Sequence, residues 1–284
     1  MMHAVQGTDA LARRGRRGRG GKSLVVMTLL AVVGAFLIVA APAAHAATQS
    51  SATQSSAIKP PVIIVTGLGG AAADYATLAN RLSADGFTVD VFELPDRGNG
   101  PIHGSALALA SRADAVLART HSAKVELIGH SLGGLVARDY VRFAGGATKV
   151  DKVITLGTPN QGTWSANGLM ILTMGCIGAP SCVQMAVGST YLSQLNAPDA
   201  AVGDVRYWTF ASKYDELVYP YQNAFVSSTS GHVVNTAVQD QCWGRTLGHI
   251  ALTTDLTVYS GITQALTGSS FIWLNCWTPT VSAI

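Results

Sequence analysis

The sequence predicts an α/β protein with a central, mostly parallel sheet of about six strands and helices on both faces. Two observations support this fold class. Short apolar runs alternate with helical patterns along most of the chain, which is typical of a parallel sheet covered on both faces. Two of these runs, Val62–Thr66 and Val125–Ile128, are almost wholly apolar, as central parallel strands should be.

The elements follow one another in a regular order, with one exception. The predicted strands are Val62–Thr66, Thr88–Phe92, Val125–Ile128, Val153–Leu156, Val205–Ala211 and His232–Val238. The predicted helices are Tyr75–Ala84, Ser105–Arg119, Leu132–Phe143, Thr190–Leu195 and Thr253–Leu266. Residues 157–204 interrupt the alternation: they are rich in glycine and contain the apolar run 169–172. They form either a small wall over a site or an irregular packed excursion.

The first 46 residues have the pattern of a secretory signal peptide. Five arginines between positions 13 and 19, together with Lys22, precede the apolar run Leu24–Ala41, and Ala44-His45-Ala46 follows as a cleavage site. A run of 18 residues is also long enough for an uncleaved membrane anchor, but the Ala-x-Ala site favours cleavage after Ala46. The paired arginines leave both twin-arginine and general secretory export open.

Removal of this leader changes the charge balance. Residues 47–59 are rich in Ser, Thr, Ala and Gln and are predicted to be a flexible segment, and residues 60–284 are predicted to form one domain. Without residues 1–46, Lys+Arg falls from 19 to 13 and Asp+Glu from 16 to 15, so the net charge is about −2 instead of +3. A basic surface for nucleic acid is therefore not expected.

All four cysteines, Cys176, Cys182, Cys242 and Cys276, follow the leader. An even number of cysteines in an exported chain suggests disulfides. Three pairings are possible. The pairing Cys176–Cys182 with Cys242–Cys276 is favoured, because its first bond closes a short local loop. No Cys-x-x-Cys or His-Glu-x-x-His spacing points to a metal, and no cofactor is predicted.

The most informative motif is Gly129-His130-Ser131-Leu132-Gly133. An apolar strand precedes it and a helical pattern follows, which is the setting of a nucleophile elbow. Such a turn exposes the central serine, and its glycines let strand and helix approach closely. An incidental serine in a glycine-rich turn would need no such flanking elements. His130 is expected to be structural.

A serine hydroxyl becomes a useful nucleophile when an imidazole accepts its proton and a carboxylate orients that imidazole. In sheets of this type the order along the chain is serine, acid, histidine. Only His232 and His249 follow Ser131. His232 opens a predicted strand, whereas His249 lies in a loop between the last strand and the last helix. His249 is therefore the predicted base.

The predicted acid is Asp215. It follows the strand Val205–Ala211, and the carboxyl end of a strand is where an open parallel sheet places functional groups. Asp240 also follows a strand, but it is only nine residues from His249 and shares its loop. Backbone N–H groups should stabilise the oxyanion, one from Leu132 and one from the loop Thr66–Gly70, with Leu68 as the expected donor.

The glycines of the loop Thr66–Gly70 also fit a different class of function. Gly67-x-Gly69-x-x-Ala72, with Asp90 further along, fits a dinucleotide-binding fingerprint of an oxidoreductase. Exported proteins seldom meet free dinucleotides, and this reading leaves Ser131 and His249 unexplained. A hydrolase fold that only binds ligands is a third alternative. The complete set of nucleophile, base, acid and oxyanion loop argues against it.

Taken together, these segments resemble the α/β-hydrolase superfamily, and most of all secreted bacterial lipases and esterases of the class 2 type. The resemblance covers nearly all of the chain after the leader, in the expected order. The resembling segments are Pro61–Gly70, Gly129–Gly134, Thr155–Thr163, Tyr214–Asn223, Val238–Cys242 and Gly248-His249. One position departs from the pattern: Thr66 stands where many relatives have a histidine that orders the oxyanion loop.

The resemblance implies hydrolysis of acylglycerols or similar hydrophobic esters by Ser131, Asp215 and His249, with Leu68 and Leu132 as oxyanion donors. The chain is further predicted to have a small lid or none, to need no cofactor, to bind no nucleic acid, and to act as a monomer on a hydrophobic ester or at a lipid–water interface. Polyester hydrolysis and acyl transfer share the acyl-enzyme step and stay open. The choice between lipase and esterase depends on whether Trp164–Met185 forms a movable cover.

Overall fold

A computed structural model of the protein describes residues 59–173 and 176–279. The predicted signal peptide, most of the predicted flexible segment and residues 280–284 lie outside the described residues. The strands are β1 (Val62–Val65), β2 (Val89–Phe92), β3 (Val125–His130), β4 (Val150–Leu156), β5 (Arg206–Ala211) and β6 (Val233–Ala237). The helices are α1 (Ala76–Ala84), α2 (Ile102–Thr120), α3 (Leu132–Phe143), α4 (Trp164–Thr173), α5 (Pro180–Met185), α6 (Thr190–Asn196), α7 (Val238–Gln241) and α8 (Leu256–Leu266).

The strands form one sheet in the order β2-β1-β3-β4-β5-β6, and every neighbouring pair is parallel. The predicted parallel sheet of about six strands is therefore confirmed. From β1 the chain first moves to one side, to β2, and then returns past β1 to β3 and outward to β6. This reversal leaves a crevice beyond the carboxyl ends of β1 and β3, which is where open sheets of this kind bind their ligands.

Helices cover both faces of the sheet, as predicted. Successive strand residues point to opposite faces. Ile63 and Val65 pack in one buried cluster with residues of α2 and α3, whereas Val62 and Ile64 pack in a second cluster with residues of α1 and α8. Each fully buried aliphatic side chain of this kind contributes about 1.5–3 kcal/mol. The two layers fix the sheet and thus the position of the loops at its carboxyl edge.

Some element boundaries differ from the predicted ones. β4 begins at Val150 rather than Val153, because the charged Lys152 is buried in an ion pair with Glu126 and so belongs to the strand. α2 begins at Ile102 rather than Ser105, directly after Pro101. β6 ends at Ala237, and the residues that follow it form the short helix α7 instead of the predicted loop.

Residues 157–204 fold into the short helices α4, α5 and α6. The disulfides Cys176–Cys182 and Cys242–Cys276 both form, which is the favoured pairing. The first lies within this segment, and the second connects the end of α7 to the chain beyond α8. In the described part of the chain, none of the helices combines the length and apolar character needed to cross a membrane.

Candidate active site

The residues singled out in the sequence lie at one edge of the sheet. Ser131 follows β3, the loop Thr66–Gly70 follows β1, Asp215 follows β5, and His249 follows β6 and α7. Because all of these strands are parallel, their carboxyl ends bring the four segments to the same edge. Ser131, His249 and the loop glycine Gly67 line one cavity there.

The backbone at Ser131 has the shape of a nucleophile elbow. Its φ is 53° and its ψ is −127°, a conformation that non-glycine residues rarely adopt. Neighbouring glycines make the turn possible. A Cβ on Gly129 would lie 2.4 Å from the Cα of Gly134, and a Cβ on Gly133 would lie 2.3 Å from the carbonyl oxygen of Val65. The N–H of Ser131 donates to the carbonyl oxygen of Leu156 at 2.8 Å, which anchors the turn to β4.

His249 and Asp215 form a buried pair. The Nδ1 of His249 lies 2.9 Å from Oδ2 and 3.0 Å from Oδ1 of Asp215, and each side chain is only 2% exposed. The same carboxylate accepts hydrogen bonds from the backbone N–H groups of Leu217 and Val218 at 2.9 and 2.8 Å. These bonds hold the carboxylate still, so that it fixes both the orientation and the tautomer of the imidazole.

The other ring nitrogen of His249, Nε2, is buried and has no hydrogen-bond partner among the described residues. Because Nδ1 faces a carboxylate, it carries the proton and Nε2 is left with a free lone pair. Ser131 and His249 line the same cavity, so the imidazole and the serine side chain belong to one site. Geometries of this kind often tighten only when a substrate binds.

The backbone of the His249 segment is also held in place. The N–H of His249 donates to Oε2 of Glu216 at 3.0 Å, so consecutive acidic residues hold the side chain and the main chain of one histidine. Gly248 leaves room for this contact, because a Cβ there would lie 2.6 Å from Oε2 of Glu216 and would have to displace the carboxylate. Gln239 adds a further contact: its Nε2 donates to the carbonyl oxygen of Arg245 at 2.7 Å.

The loop Thr66–Gly70 lies against the elbow. A Cβ on Gly67 would be 3.1 Å from the Cβ of Ser131, so a side chain at position 67 would crowd the elbow. Within the described residues, the backbone N–H groups of Leu68 and Leu132 have no hydrogen-bond partner. Free backbone N–H groups in the two segments next to a serine side chain are suited to binding a negative oxygen.

Two buried side chains, those of Tyr75 and Thr66, accept hydrogen bonds from backbone N–H groups at this loop. The hydroxyl of Tyr75 accepts the N–H of Gly67 at 2.7 Å and lies 2.8 Å from Nδ1 of His130. The hydroxyl of Thr66 accepts the N–H of Leu94 at 3.2 Å. Burial raises the pKa of Tyr75 to about 12, and burial together with the nearby His249 lowers the pKa of His130 to about 3. Both side chains are therefore neutral around pH 7.

The cavity has a volume of about 320 Å³ and is mostly apolar. Part of its wall comes from residues 157–204, so this segment contributes to the wall of the site. The apolar residues of the wall are Ala166, Cys182 and Met185, and the rim adds Leu68, Leu217 and Ile250. A space of this size and character suits an acyl chain or another apolar group.

The structure places the alternative residues elsewhere. Asp240 is 60% exposed and its carboxylate pairs with Lys213 at 2.6 Å. His232 directly precedes β6, so it lies at the amino ends of the strands, opposite the carboxyl ends that carry Ser131 and Asp215. Asp90, the expected ribose ligand of a dinucleotide site, is bound by Arg112 at 2.8 Å and Arg119 at 2.5 Å, which leaves its carboxylate occupied.

Two contributors to the site were missed by sequence reasoning. Tyr75 lies at a helix start with no motif around it, and Glu216 reads as a second acid beside Asp215. Only their contacts in the folded chain reveal them. Within residues 59–173 and 176–279, no group of three or more His, Cys, Asp or Glu side chains is arranged to hold a metal ion.

Comparison with known families shows which family this chain belongs to. The family model described as palmitoyl protein thioesterase matches residues 61–239 of this chain. The chain belongs to this family. The match includes Ser131 and Asp215, and it ends before His249. The α/β-hydrolase superfamily that the motifs resembled is thereby confirmed.

Curated relatives point in the same direction. A triacylglycerol lipase from Burkholderia plantarii is 38% identical over 149 residues, which are 50% of this chain and 39% of the relative. A triacylglycerol lipase from Pseudarthrobacter phenanthrenivorans is 38% identical over 111 residues, 36% of this chain and 34% of the relative. The chain thus spans between a third and two fifths of the length of these relatives.

Solved structures share the fold at low sequence identity. Aspergillus fumigatus lipase B superposes with a TM-score of 0.63 at 19% identity, over 74% of this chain and 52% of that one. The mature form of the Bacillus licheniformis lipase BlEst2 gives a TM-score of 0.61 at 16% identity, over 74% of this chain and 93% of that one. These similarities confirm the α/β-hydrolase fold of this palmitoyl protein thioesterase family member.

Proposed function

We propose that this chain is a serine ester hydrolase that cleaves hydrophobic carboxylic esters, such as acylglycerols, through an acyl-enzyme. One observation supports the proposal above all others. Ser131, in its strained turn, and His249, whose Nδ1 lies 2.9 Å from Oδ2 of Asp215, line the same mostly apolar cavity. The lipases among the relatives and the family match favour the same class of chemistry.

In the first half of the reaction, the Ser131 oxygen attacks the ester carbonyl carbon while Nε2 of His249 accepts the hydroxyl proton. Asp215 stabilises the imidazolium that forms. The N–H groups of Leu68 and Leu132 stabilise the negative oxygen of the tetrahedral intermediate. When the intermediate collapses, the carbon–oxygen bond to the alcohol breaks and His249 returns its proton to the leaving oxygen.

In the second half, water enters and attacks the acyl carbon of the Ser131 ester. Nε2 of His249 accepts a proton from this water and then gives it to the serine oxygen as the acid leaves. Met185 and Ala166 line the cavity, where they would contact an acyl chain. An apolar acyl group is favoured there because its binding removes apolar surface from water.

Ser131→Ala tests the assignment. We expect turnover of a p-nitrophenyl ester to fall by about 10⁴-fold or more, because the nucleophile is lost. The circular dichroism spectrum and the melting temperature should stay close to those of the unaltered chain. Ser111→Ala is the matched control, since Ser111 is exposed on α2 and does not line the cavity. Full activity in the Ser131 variant would refute the proposal.

We also propose that the chain is exported and that its leader is cleaved after Ala46. The two disulfides favour an oxidising compartment. The intact mass of the secreted protein should correspond to a chain that begins at Ala47. A full-length chain retained in the membrane fraction would contradict this.

A further inference from the structure

A continuous set of buried hydrogen bonds connects the oxyanion loop to the segment that holds His249. The N–H of Gly67 donates to the Tyr75 hydroxyl at 2.7 Å, and this hydroxyl lies 2.8 Å from Nδ1 of His130. At the other side of the ring, Nε2 of His130 lies 3.3 Å from the carbonyl oxygen of His249. Tyr75 is 4% exposed and His130 is 3% exposed.

The chemistry of the end groups fixes the direction of every bond. A carbonyl oxygen only accepts, so Nε2 of His130 must carry the ring proton and donate it to His249. Nδ1 then has a lone pair and accepts the Tyr75 hydroxyl hydrogen. The Tyr75 oxygen in turn accepts from Gly67. The neutral states of both side chains, which follow from their burial, are the ones that this arrangement requires.

The oxyanion loop and the His249 segment lie at the two ends of this set of hydrogen bonds, and the reaction depends on the distance between them. Gly67 directly precedes Leu68, whose N–H is a proposed oxyanion donor, and His249 is the proposed base. We propose that Tyr75 and His130 are positioning residues, which hold the oxyanion loop at a fixed distance from the His249 segment. This inference rests on the proposed function.

The uncharged state of His130 also matters for the reaction. The rings of His130 and His249 have centroids only 4.8 Å apart. A positive charge on His130 would oppose the imidazolium that His249 becomes during each proton transfer. A neutral ring beside it avoids this repulsion while still donating to the main chain. Tyr75 and His130 thereby order two loops without adding a charge next to the base.

Tyr75→Phe removes the hydroxyl and little else, so it is the sharpest variant. We expect kcat to fall about 10- to 100-fold with KM within about twofold, because a displaced oxyanion donor weakens binding of the transition state more than of the substrate. Tyr259→Phe is the matched control. Its hydroxyl donates to Asp85 at 2.6 Å, and neither residue lines the cavity. That variant should keep the unaltered kcat.

His130→Gln tests the second member of the set and serves if Tyr75→Phe does not fold. The kcat of the Tyr75→Phe/His130→Gln double variant should be no lower than that of the less active single variant, because either change interrupts the same connection. Fully additive losses would overturn the idea of one connected set. A kcat in Tyr75→Phe equal to that of the unaltered chain would also overturn it. The same holds if the loss of activity is explained entirely by a smaller folded fraction.

Nitrogen NMR of the His130 ring gives a readout that does not need activity. In the unaltered chain we expect a ring protonated only at Nε2 between pH 5 and pH 8. The opposite tautomer, or a doubly protonated ring, would overturn the inference. If Ser131→Ala retained turnover, the proposed function would fail whatever the ring spectrum showed. If only Tyr75→Phe behaved like the unaltered chain, the inference alone would fail.

Discussion

The residues around Ser131 stabilise its strained backbone conformation. A non-glycine residue at φ 53° and ψ −127° costs about 1–3 kcal/mol. The bond from the Ser131 N–H to Leu156 and the close contact of the β3 and α3 backbones offset this cost. The strain was predictable, because Gly129 and Gly133 flank the serine in the sequence. The turn leaves the half-buried Ser131 side chain at the cavity, as a nucleophile requires.

Asp215 should matter far more than the neighbouring acids. Asp215→Asn keeps the shape of the side chain but favours the wrong tautomer of His249, so kcat should fall about 10³- to 10⁴-fold in p-nitrophenyl ester assays. The loss should be smaller than in Ser131→Ala, because nucleophile and base remain in place.

Asp240→Asn is the matched control for Asp215→Asn. Its carboxylate is exposed and pairs with Lys213, so its removal should leave kcat within about twofold and should cost at most about 1 kcal/mol of stability. A greater loss of activity in Asp240→Asn than in Asp215→Asn would show that the acid has been misassigned.

The sequence alone could not supply the contacts of Tyr75 and Glu216. Ser131, Asp215 and His249 belong to patterns with a fixed order along the chain, whereas Tyr75 meets His130 across 55 positions and Glu216 meets the His249 main chain across 33. Such contacts depend on how α1 and the loops after β5 and β6 pack. A pattern of residue types does not record that packing.

At the scale of elements, the alternation of strands and helices was the strongest signal, and a buried charge caused the error at the start of β4. Lys152 reads as a surface residue, yet its ion pair with Glu126 extends β4 by three positions. The segment 157–204 gave no decisive pattern. It is anchored by the buried Arg138 of α3, whose guanidinium donates to Asn160 at 3.0 Å and to Asn196 at 2.7 Å.

The two disulfides should differ in what they contribute. Cys242–Cys276 closes a loop of 34 residues and Cys176–Cys182 one of 6. Loop-closure entropy then predicts that the first stabilises the chain by about 4 kcal/mol and the second by about 2 kcal/mol. The double variant Cys242→Ser/Cys276→Ser should therefore melt at a lower temperature than Cys176→Ser/Cys182→Ser, as measured by calorimetry.

Loss of Cys242–Cys276 should also lower activity below the melting transition, because this bond ties the chain ahead of His249 to the segment beyond α8. Reduction of the unaltered chain with a dithiol would show the same effect. Unchanged ester turnover after verified reduction of this bond would contradict it.

At the scale of the whole molecule, the order of strands determines where the site lies. The reversal between β2 and β3 opens the crevice, and parallel pairing brings the ends of β1, β3, β5 and β6 to its rim. The alternating pattern predicted the parallel sheet. It did not predict the spatial order of the strands, because strands of similar apolar character can pair in several orders and the choice depends on tertiary packing.

The central claim is that Ser131 is activated by His249 and Asp215. Labelling with a serine-directed phosphonate, followed by peptide mass spectrometry, tests it most directly. One adduct per chain should form on the peptide that contains Ser131, and His249→Ala should slow labelling by about 10³-fold or more. An adduct on a different serine, or ester hydrolysis by a chain that the phosphonate does not label, would contradict the claim.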